Sequence, residues 1–545
     1  MLESRADGSR AEGCAGAMEA VPVQGMLSHA LQHHQAGRLT EAEVLYRQIL
    51  RAFPDHAVSL HLLGMVAYQT GDLETAAERI RRAIAIKPDA ASYHSNLGNV
   101  LQKQGLAREA ASSYLRSMML KPDVAEVQVN LANVFLEAGH WEEAVRWYER
   151  ALALDESLPE THYNLGNALR MQGKLAGSVE AYDRSLALKP DNAEAYDWAG
   201  RVLREAGDLD GARARFQRAL ALDPEHPRAG FAEAMVQLLQ GEFEAGWASY
   251  ERRWGSSDHG TPMRNYAQPA WRGERVAGGR VLMWREQGAG DEIMFAGLLG
   301  DALRTGSRLV LECDGRLKPL LARSFPEVEM VTRAEGERLT DVAAQLPIGS
   351  LPGLFRTSRE SFGGGSAGYL KADPVWTKEL RDGYADGRRV VGIAWRSKDA
   401  KNGEKRSVSL GMLKDLMEDA GVRWVSLQYG DAGELEAEAA EAGVPVLVDR
   451  GVDQLMDMEG FAAQVAAMDL VVTIDNTTAH LAGALGVPVW VLLPFAPDWR
   501  WLASGETSLW YAGMRLFRQA EVGDWVGVLE RVKAALDREM TRLNG

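Results

Sequence analysis

The sequence predicts an α-solenoid of seven helical repeats followed by an α/β domain built as two sheet-containing halves, and three observations predict it. Glycines recur at Gly37, Gly71, Gly105, Gly139, Gly173, Gly207 and Gly241, each 34 residues after the last. A fixed period of this length marks stacked supersecondary units. Beyond Gly279 the period gives way to apolar, β-rich runs alternating with helical segments, the pattern of parallel strands covered on both faces. At 545 residues the chain is also too long for one core, given ~150 residues for a typical domain.

Composition narrows the class. Hydrophobic residues make up 46% and charged residues 25%, as in ordinary globular proteins. The net charge of −15 argues against nucleic-acid partners, because phosphate neutralisation needs a basic surface. Cys14 and Cys313 are the only cysteines and have no metal-ligand or disulfide spacing, which fits a reducing cytoplasm. Residues 1–20 mix charges and glycines without an apolar core and are expected to be disordered; no stretch approaches the ~20 apolar residues of a membrane span.

The repeats occupy residues 21–255. Five residues after each glycine comes a small residue (Ala42, Ala76, Ala110, Ala144, Ser178, Ala212, Gly246), and four further on a large one (Tyr46, Ile80, Tyr114, Tyr148, Tyr182, Phe216, Tyr250). Small residues let paired helices approach and large ones fill the space between them. Pro54, Pro88, Pro122, Pro190 and Pro224 close the repeats, with Glu156 in that place in the fourth. This is the tetratricopeptide pattern, whose stacked helix pairs form a groove for an extended peptide or a protein partner.

Within the groove, Asn96, Asn130 and Asn164 occupy one repeat position, and Asn99, Asn133 and Asn167 another three residues later. Both sets fall on the first helix of each repeat, nearly one turn apart. Amide ladders offer donors and acceptors that can pair with a peptide backbone of any sequence, unless asparagine simply suits the repeat. The ladder resembles that of the eukaryotic O-GlcNAc transferase, whose repeats hold protein substrates.

After Trp254 a stretch rich in Gly, Pro and Ser reads as a linker, residues 256–275. The runs RVLMW, RLVLEC and VEMV place a first half at 276–375, and VVGIAW, WVSLQY, VPVLV, DLVVTI and VPVWVLL a second at 388–545. A polar break between Ser358 and Asp386 separates two Rossmann-like halves, with a ligand cleft expected between them.

Three segments carry candidate chemistry. EQGAGDEIMF turns at Gly288 and Gly290 into a helix start with Asp291, either a helix cap or a reactive carboxylate; Ile293 in the third glycine's place disfavours a dinucleotide fingerprint. WRSKDAKNGEKRS places Arg396, Lys398, Lys401, Lys405 and Arg406 against Asp399 and Glu404 beyond a strand end, either a diphosphate cradle or a solvated loop. IDNTTAHLAG follows a buried strand with Asp475, the hydroxyls of Thr477 and Thr478, and His480 on a helix start. Trp499, Arg500 and Trp501 either stack on a base or sugar or seal the hinge.

Together these segments resemble bacterial proteins in which tetratricopeptide repeats are fused to a GT-B glycosyltransferase domain related to the lipopolysaccharide heptosyltransferases and, more distantly, to O-GlcNAc transferase. The resemblance implies that Asp291, in the Gly290-Asp291 pair, is the general base. It implies donor contacts from Asp475, Asn476, Thr477, Thr478 and His480, although Thr477 departs from the family's glycine. The loop with Trp395 and Arg396 implies a phosphate-binding lysine, Lys398 or Lys405, and LQYGD implies a nucleotide contact by Gln428. An inverting, metal-independent enzyme with no cofactor besides its nucleotide-sugar substrate follows from the family.

The expected function is therefore transfer of a sugar to Ser or Thr of a protein recruited by the repeats, in the cytoplasm, without nucleic-acid partners or membrane insertion. Tethering an acceptor raises its effective concentration at the cleft. Flagellin glycosyltransferases of alphaproteobacteria that use a nonulosonic acid donor look similar, which makes flagellin the expected acceptor. The alternatives are a tetratricopeptide scaffold with an inactive transferase-like domain, and a glycolipid or polysaccharide transferase.

Overall fold

The computed structural model describes residues 23–365, 367–398, 403–418 and 421–544. The expected disordered segment 1–20, with Cys14, lies outside the described residues, as do Asp399 and Lys401 of the basic loop. The chain forms two compact units, one ending at Pro190 and one beginning at Asp191.

In the first unit each repeat is a helix pair such as Ala91–Lys103 with Ala107–Leu120. The period-marking glycines Gly37, Gly71, Gly105, Gly139 and Gly173 have φ between +72° and +88°, a left-handed turn that ends each first helix and that side-chain-bearing residues adopt only with strain. Tyr46, Ile80, Tyr114, Tyr148 and Tyr182 are fully buried. They press so closely on the neighbouring helix that a Cβ at Gly98 would lie 2.5 Å from the Tyr114 ring. The small and large repeat positions are thus the two sides of one packing contact.

The second unit contains the helices Ala193–Glu205, Leu209–Leu222, Ala229–Gln240 and Phe243–Tyr250, followed by two sheets. Strands β1 (Arg280–Trp284), β2 (Arg308–Glu312), β3 (Glu329–Val331) and β4 (Val342–Pro347) form one parallel sheet in the order β3-β2-β1-β4. Strands β5 (Arg389–Ala394), β6 (Val422–Ser426), β7 (Val446–Leu447), β8 (Leu470–Ile474), β9 (Val489–Leu493) and β10 (Met514–Arg518) form the other, also parallel, in the order β10-β9-β8-β5-β6-β7. Near-continuous burial along β1, β5, β8 and β9 explains why their sequences read as unbroken apolar runs. Strand order reverses at β1/β4 and at β5/β8, and in open α/β sheets ligands bind beside such reversals, beyond the carboxyl ends of the strands.

One core joins Leu238, Phe243, Trp247 and Tyr250 of the last repeat to Val281 and Phe295 of the first sheet layer and to Trp499 and Tyr511 of the second. A second core packs Trp395, Trp424 and Trp490 beneath Val528 and Val532 of the closing helix Trp525–Asn544. Residues 256–275, which read as a linker, carry a buried Trp271 whose Nε1 donates to the Glu274 carbonyl at 2.7 Å, and a bridge from Ala270 to Gln345 beside β4. The helical and α/β parts are therefore continuous in packing from Asp191 onward. Among the described residues, no helix is long and apolar enough to cross a membrane.

Candidate functional site

The site is built from loops at the carboxyl ends of β1, β5, β8 and β9. After β1 the chain turns at Gly288 into the helix Ala289–Ala296, where Asp291 accepts the Gly288 N–H through Oδ2 at 3.3 Å. Asp291 thus does cap its helix. After β8, Asn476 accepts a bond from the Thr473 hydroxyl (3.0 Å) and the Ala479 N–H (3.3 Å), opening the helix Thr477–Leu485. The two helix starts meet face to face. A Cβ on Gly290 would lie 3.3 Å from both Thr477 Oγ1 and His480 Cδ2, so close approach, and not a turn, is what calls for glycine there. Two facing helix N-termini concentrate partial positive charge and N–H donors on the space beside them.

Arg500, on the loop after β9, ties this arrangement together. Its Nη2 pairs with Asp291 Oδ1, and its Nη1 bonds Asp498 Oδ1 at 2.5 Å. Burial opposes ionisation of Asp498, but Arg500 holds its carboxyl below the usual range. Asp475 is 4% exposed, with Arg406 Nη1 3.5 Å away, and burial pushes its carboxyl up. His480 donates or accepts at Nδ1 with the Tyr511 hydroxyl (3.0 Å) and stacks on Trp501 at 5.3 Å. Burial first, and Arg500 second, lower its pKa to about 3, which favours the neutral imidazole at physiological pH. Thr477 faces Gly290 while Thr478 is turned inward and buried. Of the hinge aromatics, Trp499 packs against Trp247 at 5.2 Å, closing the wall of the site.

The basic loop after β5 is laced with acids. Arg396 pairs with Glu438 (3.0 Å) and Lys405 with Glu205 (2.7 Å). Lys398 donates its backbone N–H to the Tyr429 hydroxyl at 2.5 Å, with its ammonium 5.7 Å over that ring. Gln428 is fully buried: Oε1 accepts the N–H groups of Trp395 (3.0 Å) and Arg396 (2.8 Å), and Nε2 donates to the Arg396 carbonyl at 3.1 Å. The Trp395 indole lies in the second core and donates to Glu438 at 3.0 Å. Both side chains therefore point inward and shape the loop from inside. Among the described residues, no group of three or more His, Cys, Asp or Glu is arranged to hold a metal ion.

Sequence reasoning did not single out Arg201, on the helix Ala193–Glu205. It occupies the register of Asn99, Asn133 and Asn167 one repeat later, and bonds Asp258 (2.8 Å) and Asp197 (3.0 Å). The change from amide to guanidinium in an otherwise regular ladder was the available signal. With Glu205 on Lys405 and Phe495 3.0 Å from where a Gly207 Cβ would be, the end of this repeat helix forms part of the wall beside the β5 and β9 loops.

In the first unit the asparagine ladder is an internal zipper. Asn99, Asn133 and Asn167 each accept through Oδ1 from Tyr114 (2.7 Å), Tyr148 (2.5 Å) and Tyr182 (2.6 Å). Asn130 and Asn164 donate through Nδ2 to Asn99 and Asn133, both at 3.1 Å. Asn96 Nδ2 lies 2.8 Å from His61 Nε2, which requires a neutral, accepting imidazole. The zipper fixes which way each amide faces: the Nδ2 donors of Asn99, Asn133 and Asn167 are not used by it, and neither are the Oδ1 acceptors of Asn96, Asn130 and Asn164. The amide atoms that the zipper leaves unused recur at the same repeat positions as those it uses.

His61 yields a pH prediction. Burial, and secondarily His34, lower its pKa from 6.5 to about 4, so the unfolded chain takes up the proton first as pH falls. Stability from this residue is complete above pH 6.5 and is lost between 6.5 and about 4, a loss of about 2 kcal/mol at pH 5 relative to pH 8. Urea unfolding of the wild type and of His61→Gln at the two pH values checks this; an equal pH dependence in both chains would refute it.

Comparison with known proteins places tetratricopeptide repeats in this chain. The family described as TPR repeat matches residues 64–105, 132–173 and 166–203, and the family described as Tetratricopeptide repeat matches 193–226. Protein FlbA of Caulobacter vibrioides is 33% identical over 328 residues, which cover 56% of this chain and 54% of FlbA, so the match spans about half of that relative's length. Among solved structures, MamA (23% identity, 30% of this chain, 95% of that one, TM-score 0.29) and YrrB, a TPR protein with an unusual peptide-binding site (19%, 34%, 97%, TM-score 0.32), resemble part of the chain.

Proposed function

We propose that this chain is a protein O-glycosyltransferase of GT-B type: the repeats hold a protein acceptor, and the cleft between the two parallel-sheet halves transfers a sugar from a nucleotide-sugar donor to its Ser or Thr. The observation that carries the reading is the meeting of the two helix N-termini at Gly290 and Thr477, with Asp291 beside them. A helix start that supplies N–H donors suits a nucleotide phosphate, and a carboxylate on the opposing loop suits proton removal from an attacking hydroxyl. Arg406, and Lys398 or Lys405, would stabilise the departing phosphate in this reading. The unused amide groups of the zipper suit the backbone of an extended acceptor, and flagellin is the acceptor that the resemblance in layout favours.

A scaffold reading draws on two observations: Thr477 stands where glycine would be expected, and Arg500 already occupies Asp291. The two readings separate in a thermal-shift experiment on the full chain with UDP, GDP, ADP and CMP and their sugar conjugates. A ligand that binds only the folded state at 100 times its Kd stabilises it by about 2.7 kcal/mol. A rise in melting temperature with one nucleotide class is expected. No rise with any of them would leave the scaffold reading standing and overturn the transferase.

A further inference from the structure

Arg500 is placed to do more than close the hinge. It reaches from the second half to Asp291 of the first through Nη2 while Nη1 stays on Asp498, and its Nε is buried without a hydrogen-bond partner. Two carboxylates therefore share one guanidinium. Both oxygens of Asp291 have a partner, Arg500 on Oδ1 and the Gly288 N–H on Oδ2. Each oxygen keeps a second lone pair, but protonating a carboxylate that is paired with a guanidinium gives up that charge pairing, so moving the guanidinium to another anion favours proton uptake. The guanidinium is also near enough to act electrostatically on Asp475 and His480, which flank the start of the helix after β8, and a helix start favours an anion.

Resting on the transferase reading, we propose that Arg500 is an exchange residue: in the empty cleft it binds Asp291, and when the donor arrives it passes to the donor's phosphate, freeing Asp291 to act as base only once the donor is in place. The transfer then balances. The acceptor oxygen bonds to the anomeric carbon, the bond from that carbon to the phosphate oxygen breaks with its electron pair on the phosphate, and the hydroxyl proton goes to Asp291. The charge developing on the leaving phosphate meets Arg500 Nη2, a charge-assisted partner. Asp498 keeps hold of Nη1 throughout and is the positioning residue for the guanidinium.

The exchange makes the two residues compete, which a thermodynamic cycle detects without any turnover. Binding to the full chain is measured by titration calorimetry with whichever of UDP, GDP, ADP and CMP stabilises the wild type. Asp291→Asn, which removes the competitor, is expected to bind that nucleotide about tenfold more tightly, and Arg500→Gln at least tenfold more weakly. In the double variant the gain from Asp291→Asn should vanish. A gain of the same size in the Arg500→Gln background would reduce the effect to the general field of a removed charge and overturn the exchange, as would no gain at all. Arg500→Lys replaces Arg500→Gln in the cycle if the latter does not fold; it keeps the charge but not the fork, and the gain should shrink there too. If no nucleotide binds the wild type, the transferase reading and the exchange fall together; if one binds and the coupling is absent, only the exchange falls.

Discussion

In the transferase proposed above, Asp291→Asn is expected to lower transfer to the acceptor by about 10²- to 10⁴-fold, the range contributed by a positioned general base. The substitution is close to isosteric, and the amide oxygen can still accept the Gly288 N–H that opens the helix. Folding should therefore be retained, with Arg500 left to Asp498. What the proposed reaction loses is its proton acceptor. Because the phosphate-side groups sit on the opposing helix and the β5 loop, nucleotide binding should survive, which separates a catalytic defect from a collapsed site. The measurement is single-turnover transfer to a Ser- or Thr-containing acceptor protein, with the melting temperature as a control for folding. A wild-type rate in this variant would remove Asp291 from the role.

The parts of this molecule that the sequence made legible are those that repeat or that obey a local period. Gly37 to Gly241, the buried tyrosines and the asparagine registers can be read because each copy restates the same demand of helix pairing. Strands β1, β5, β8 and β9 are visible as apolar runs because both faces are covered. Side-chain direction was not legible. Asn99 and Tyr114 are both conspicuous in the sequence, but that the phenol donates to the amide, and so decides which way the ladder faces, depends on packing between two helices. Gln428 and Trp395 fall at the ends of strands where one residue of register turns a side chain outward or into the core, and both turn inward.

Long-range pairings were equally hidden. Asp291 and Arg500 lie 209 residues apart, and nothing local to either announces the other. The compact unit that begins at Asp191 is a related case. Helical period tells that a repeat has an apolar face, not what covers it. The aromatic density of FEAGWASYERRW, the last repeat helix and its exit, marks a helix that buries more than a repeat neighbour requires, and Trp247 and Tyr250 do pack on Trp499 of the α/β part.

That same exit carries the second large effect. Arg253 is fully buried and binds Glu286, also fully buried in its side chain, through Nε at 2.7 Å and Nη2 at 3.3 Å. The remaining donors are used as well, on Ser350 Oγ (2.8 Å), Glu251 (2.8 Å) and the Tyr250 carbonyl (3.3 Å). Glu286 in turn accepts the Gly349 N–H at 2.5 Å and faces His259 Nε2 at 3.2 Å. Burial opposes the Glu286 charge, but the contact with His259 and the Arg253 guanidinium outweigh it and hold the carboxyl below its usual range. Its contribution to stability is therefore present at neutral pH and is lost as pH falls below the ordinary carboxylate value of about 4.3. Arg253→Met leaves that carboxylate buried without its main partner, and removing one member of such a pair typically costs about 3–5 kcal/mol. Because Glu286 immediately precedes Gln287 and Gly288, the disturbance should also reach the turn that positions Asp291. Urea unfolding of the full chain checks the first effect and nucleotide affinity the second. A double change of Arg253→Met with Glu286→Gln, which removes the stranded charge, should recover much of the lost stability; if it is no more stable than Arg253→Met alone, the cost lies in packing against Tyr250 and Trp254, whose rings the guanidinium covers at 4.6 and 4.2 Å, and not in the unpaired charge.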